Sequence, residues 1–155
     1  MLERVLIATD GSEQADKALR MGGAIAARFD AEVIIVHVLV EDPTQHEISG
    51  MMQLVQGLGQ KPFAPLHVDD LMSGISQHSE SSSSYTREQA LHEVSQSILR
   101  KATETVRAEG GGAVRTELLF GKVSETITEA VKSESADLVV LGSRGLGGIR
   151  SLLGS

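Results

Sequence analysis

The feature that most constrains this chain is an alternation. Short, continuously apolar, β-branched runs are separated by segments whose apolar residues return at helical spacing. Arg4 to Thr9 (RVLIAT) and Glu32 to Leu39 (EVIIVHVL) lack the polar/apolar alternation of a strand wetted on one face, so each reads as a strand covered on both faces. Between them, Ala15, Ala18, Leu19, Gly22, Ile25, Ala26 and Phe29 fall on one helical face. Ser12 stands at the N-cap position, and Glu13 and Asp16 follow at the positive end of that helix. The unit is strand–helix–strand.

The same order returns later. Arg87 to Glu109 predicts a helix that opens on the capping-box spacing Thr86-Arg-Glu-Gln89 and ends at Gly110-Gly-Gly112. Its inward face carries Leu91, Val94, Ile98, Ala102 and Val106. Val114 to Leu119 alternates and so predicts a third strand near a sheet edge. Ser124 to Ser133 predicts a short helix, with Val123, Ile127, Ala130 and Val131 inward, and Asp137 to Leu141 a fourth, buried strand. Repetition of strand and helix makes an α/β fold with an open parallel sheet and helices on both faces. At 155 residues, 3% aromatic and without Trp, the chain has room for one domain (residues 1–155) with an aliphatic core. Residues 43–84 break the rhythm and read as an insert or loop within that domain. The insert has two helical faces, Ile48-Met51-Met52-Val55 and Val68-Leu71-Met72-Ile75, and a linker-like run from Ser79 to Ser84.

Charge and composition exclude several functions. A net charge of −7 argues against nucleic acid as a partner, and the absence of Cys removes disulfides, thiolate catalysis and Cys-based zinc sites. No apolar run reaches bilayer length, and the acidic insert argues against anionic lipid surfaces, so a soluble cytoplasmic protein is expected. His46, His67, His78 and His92 show no metal spacing; His37, inside a buried strand, reads as a packed structural residue. Carboxylates are plentiful, but none pair at a predicted strand end, so no catalytic residue is assigned.

In an open parallel sheet, ligands bind beyond the carboxyl ends of the strands. Two segments fall there: Asp10-Gly-Ser12 after the first strand and Gly142-Ser-Arg-Gly-Leu-Gly-Gly148 after the fourth. Glycines admit close backbone approach, and a following helix N-terminus attracts an anion, of which phosphate is the natural one. The loop is no P-loop, because Gly148 stands where that motif needs Lys, nor is it a dinucleotide fingerprint. Taken alone, a tight turn and a phosphate cradle explain it equally well. Asp10 alone reads as a turn acceptor, Ser12 and Ser143 as cap or loop residues rather than nucleophiles, and Arg144 as a phosphate-neutralising or merely solvated side chain.

Taken together, Ala8-Thr-Asp-Gly-Ser12, His37-Val38, Gly142-Ser-Arg-Gly145 and Gly154-Ser155 resemble the universal stress protein family over roughly residues 2–40 and 86–155. The resemblance implies a Rossmann-like sheet in the order 3-2-1-4. It further implies the family's ATP-binding motif, G-x-x-G, nine residues, then G-[ST], for ribose and phosphates. On this basis Ala8, Thr9, Asp10, Val38, Gly142, Ser143, Arg144, Gly145, Gly154 and Ser155 are the expected nucleotide-binding residues. Asp10 would meet the adenosine part, and the Val38 backbone would read adenine. The expected ligand is ATP, with ADP or AMP as variants and Mg²⁺ carried on the nucleotide. Two departures stand out: eight residues, Leu146 to Leu153, replace the nine, and the family's final strand is absent from these 155 residues. The expected function is a cytoplasmic stress-response regulator that binds ATP, switches conformation or partner, and hydrolyses at most slowly. The expected partners are a second copy, as a homodimer or higher oligomer, and an unidentified protein. The alternatives are an interaction module of the same family without nucleotide and, third, a nucleotide-cleaving enzyme on a related scaffold.

Overall fold

The computed structural model describes residues 1–40 and 87–143. The expectations for 43–84, including the Met-bearing faces and the Ser79–Ser84 linker, lie outside those residues. So do Thr86 of the capping box and Arg144, Gly145, Gly154 and Ser155 of the glycine motif.

Seven elements alternate along the described chain: β1 (Arg4–Ala8), α1 (Glu13–Phe29), β2 (Glu32–Leu39), α2 (Arg87–Ala108), β3 (Val114–Phe120), α3 (Val123–Ser133) and β4 (Leu138–Leu141). The four strands form one parallel sheet in the order β3-β2-β1-β4. Register sets every contact that follows: Ala8 lies opposite Val36 on one side and opposite Leu141 on the other.

Strand pleating sends alternate residues to opposite faces, and the two faces carry separate cores. Val5, Ile7, Val33 and Ile35 pack under α1 and α2 with Ala18, Leu19, Ala26, Leu99, Ala102 and Val106. Leu6, Ala8, Ile34 and Val36 pack against Ile127 and Ala130 of α3. Helices thus cover both faces, which is why β1 and β2 are apolar without interruption. The edge strands behave differently. β3 is half-exposed along its length, as its alternation predicts, while β4 reads as buried in sequence but is half-buried throughout, β1 being its one neighbour among the described residues.

The inward face of α1 is corrected at its two ends of size. Phe29 is 58% exposed, although it lies in phase with Gly22 and Ala26. Phe29 is the last residue of α1, and Asp30 turns the chain away in a left-handed conformation, whereas Ala26, one turn earlier, is fully buried. Gly23, outside the predicted stripe, is buried instead: a Cβ there would stand 3.2 Å from Val106 O of α2. Close approach of α1 to its neighbouring helix requires that glycine. No helix among the described residues is long and apolar enough to cross a membrane.

Candidate functional site

Parallel pairing of β1 with both β2 and β4 brings the segments after β1, β2 and β4 to one end of the sheet. Thr9 and Asp10 therefore stand on the same side as Gly142 and Ser143, as the sequence predicts. The gap lies where the chain leaves β1 for β2 on one side and β4 is added on the other, the place at which open α/β sheets bind ligands.

The turn after β1 is built from its own side chains. Thr9 N–H continues the ladder by donating to Val36 O at 2.9 Å. Gly11 N–H donates to Thr9 Oγ1 at 3.2 Å and Ser12 N–H to Asp10 Oδ1 at 2.9 Å. Gly11 has φ +80°, a left-handed conformation that a side chain would strain. Ser12 then caps α1, its Oγ accepting from Ala15 N–H at 3.2 Å. Asp10 is only partly buried, so its carboxylate holds the turn while remaining accessible. Thr9 and Ala8 are buried, and the amide, carbonyl and hydroxyl of Thr9 all bond within the fold.

On the other side, Gly142 is pressed against the first turn of α1. A Cβ at this position would lie 2.9 Å from the Gln14 carbonyl carbon and 3.0 Å from Ala15 N. The glycine is needed there for contact with protein backbone, and it sets the loop after β4 directly beside the N-terminus of α1. Ser143 follows, exposed.

The third wall is β2. Glu32 and Val36 bond toward β1, and Val33 and Leu39 toward β3, so the alternation turns the Val38 backbone toward β1, two positions beyond the end of that strand. His37, on the α1/α2 face, is 4% exposed and reaches across to the Thr9 carbonyl, 2.8 Å from its Nδ1. Burial pushes the imidazole below its ordinary value of 6.5, partly opposed by the Thr9 contact and the nearby Asp10 charge. The sequence places His37 as packing; its link to the turn is not legible, although a single polar residue inside the apolar run VIIVHVL is a signal that could have marked it.

The donor set suits a nucleotide better than a bare metal ion. The Val38 backbone and the amides at the start of α1 offer donors, and the hydroxyls of Ser12 and Ser143 stand at the same end of the sheet. Among the described residues no group of three or more His, Cys, Asp or Glu could hold a metal.

Comparison with known proteins agrees with this architecture. A family model described as the universal stress protein family matches residues 1–155. The chain belongs to the universal stress protein family. A universal stress protein of Methanocaldococcus jannaschii is 29% identical over 156 residues, covering 100% of this chain and 73% of that protein. Another, from Thermus aquaticus, is 29% identical over 161 residues, covering 100% of this chain and 88% of its own length. Among solved structures, a family member from Burkholderia pseudomallei aligns with a TM-score of 0.60 at 20% identity, covering 98% of this chain and 88% of that one. A universal stress protein crystallised in complex with cAMP aligns with a TM-score of 0.58 at 22% identity, covering 99% and 85%. These structural likenesses establish the fold, a parallel sheet in the order 3-2-1-4 with helices on both faces, within which Asp10, Val38 and Gly142 line one end.

Proposed function

We propose that this universal stress protein binds an adenine nucleotide, ATP in the first instance, at the carboxyl ends of β1, β2 and β4, and acts as a cytoplasmic stress-response regulator. The observation that carries the reading is the register Ala8↔Leu141, which seats the Asp10 turn and the Gly142 loop side by side at the α1 N-terminus. The complex of a structural relative with cAMP supports the ligand class.

In this reading Asp10 accepts from the ribose hydroxyls. The Val38 backbone meets the base. Gly142 and Ser143, followed by Arg144, Gly145, Gly154 and Ser155, hold the phosphates beside the positive end of α1. Ala8 and Thr9 shape the floor. The nucleotide supplies a charged, hydrolysable triphosphate, and Mg²⁺ arrives on it rather than in a protein cage. Among the described residues no base is placed to activate water, and in this reading the protein reads nucleotide state, turns it over at most slowly and passes the signal to an unidentified protein partner.

Chromatography of the supernatant from heat-denatured, freshly purified protein, together with calorimetric titration of ATP, ADP, AMP and cAMP, tests this. Co-purified adenine nucleotide and saturable ATP binding are expected. No released nucleotide and no binding heat would overturn the reading in favour of a nucleotide-free interaction module. We further propose a homodimer or higher oligomer, supported by the position of β4 at the sheet edge with an apolar sequence; sedimentation as a monomer at micromolar concentration would remove that part.

A further inference from the structure

In a parallel ladder, a residue that donates its N–H to one carbonyl of the neighbouring strand accepts, at its own carbonyl, from the amide two residues further along that strand. Thr9 N–H donates to Val36 O. The next rung would therefore run from Val38 N–H to Thr9 O. Among the described residues that rung is not made, and the Thr9 carbonyl is met by His37 Nδ1 at 2.8 Å. A carbonyl has no proton to give, so Nδ1 carries the hydrogen and Nε2 is the bare nitrogen, a tautomer assigned from this contact. Nε2 is itself buried without a hydrogen-bond partner among the described residues. A buried polar atom left in this way is costly, and it is tolerated where the same side chain serves another purpose.

We propose that the His37 imidazole acts as a wedge at the top of the β1–β2 seam: by capping the Thr9 carbonyl it keeps Val38 N–H out of the ladder and open to a ring-nitrogen acceptor of the bound base. His37 is then a positioning residue, acting through Thr9 and Val38 without touching the ligand. It also ties β2 to the turn that carries Asp10, so one side chain sets both the base-reading amide and the ribose-facing carboxylate. The inference rests on the nucleotide reading for its purpose, though not for its geometry.

Amide hydrogen exchange followed by NMR on the ligand-free chain tests the geometry. Val38 N–H should exchange at least about tenfold faster than Val36 N–H, which lies within the ladder. In His37→Leu the Thr9 carbonyl loses its donor, the Val38 rung closes and its exchange slows toward that of Val36. His37→Asn, whose side-chain amide can replace the Nδ1 donor, should keep the wild-type pattern. Equal protection of Val38 and Val36 in the wild type, or a Val38 rate unchanged in His37→Leu, overturns the proposal. If His37→Leu does not fold, the wild-type rates and those of His37→Asn decide. Titration with ATP then separates the two ideas: His37→Leu should weaken binding at least about tenfold and His37→Asn by no more than about threefold. A wild-type chain that binds no ATP yet shows the expected exchange rates would overturn the nucleotide reading and leave the wedge standing. Full ATP affinity in His37→Leu would overturn the wedge.

Discussion

Asp10 does two things at once, and substitutions can separate them. Its Oδ1 accepts from Ser12 N–H, while the carboxylate remains partly accessible at the cleft. Asp10→Ala loses both and should weaken ATP by about 10- to 150-fold, the equivalent of about 1.5–3 kcal/mol for one hydrogen bond to a charged acceptor. Asp10→Asn keeps a carbonyl oxygen for the turn, so its melting temperature should stay at the wild-type value while ATP affinity still falls. Calorimetric titration beside thermal melts reads both, and a tight-binding Asp10→Ala would reduce Asp10 to a turn residue. Gly142→Ala fails for another reason. Its Cβ would meet backbone atoms of Gln14 and Ala15, which cannot swing aside, so a loss of about 1–3 kcal/mol is expected in denaturant titrations. His37 adds a pH signature. Its folded-state affinity for a proton is depressed, so below pH 6.5 the unfolded chain takes up a proton that the folded chain resists. The contribution is complete above 6.5, declines as pH falls and is gone once pH passes below the folded value. Melts across that window should show a steeper decline for wild type than for His37→Asn.

Among the elements, α1 and α3 begin in different ways. Ser12 caps α1 through Ala15 N–H, and Ser12→Ala should cost about 1 kcal/mol. Lys122 stands at the N-cap of α3 in an extended conformation and makes no side-chain cap bond. Lys122→Asp should therefore raise stability by roughly 0.5–1 kcal/mol in equilibrium denaturation. These local signals explain what is legible in the sequence. Apolar continuity marked β1 and β2 because both faces of those strands are covered, and Gly110 to Gly112 marked the end of α2. Phe29 misleads because periodicity says which way a side chain points, not whether the packing continues to the helix's last residue. Gly23 escaped because its partner, Val106, is 83 residues away in the chain and no local pattern announces it. The same limit applies to the site. Asp10 and Gly142 were legible as strand-end residues, whereas the reach of His37 to Thr9 exists only once β1 and β2 are paired.

At the scale of the whole molecule, the two ends of the sheet are held in different ways. Where the strands begin, Arg115 of β3 holds Glu32 of β2 at 3.0 Å, Glu117 at 2.6 Å and Glu134 beyond α3, and the contact with Glu134 keeps that carboxylate below its usual range. Arg4 of β1 reaches Glu32 at 3.6 Å and the Glu134 carbonyl at 2.8 Å. Just before β4, Asp137 accepts from the amides of Glu3 and Arg4 at 2.8 and 3.0 Å. All four strands are thus tied together at their amino ends. Among the described residues the carboxyl ends are held by backbone instead: the β2–β3 ladder runs on to Leu39↔Phe120 and Gly121 N–H donates to Leu39 O at 3.0 Å, turn bonds gather around Thr9 and Asp10, and Gly142 is seated on α1.

Any splay of these strands would open against the ladder and pivot at the amino-end pins. β2 has eight residues, a lever of about 27 Å, so each degree of splay at the Arg115–Glu32 pin moves the far tips by about half an ångström. Loosening those pins is then expected to widen the spread at the other end. Because the pins are half-exposed ion pairs, salt loosens them. The chain has no Cys, so spin labels at Phe120→Cys and Ser143→Cys, both exposed at the open end, report the spread alone. Their distance distribution should broaden as salt rises, and Arg115→Met should show the broad distribution already at low salt. Identical distributions in all three conditions would mean that the two ends are mechanically independent.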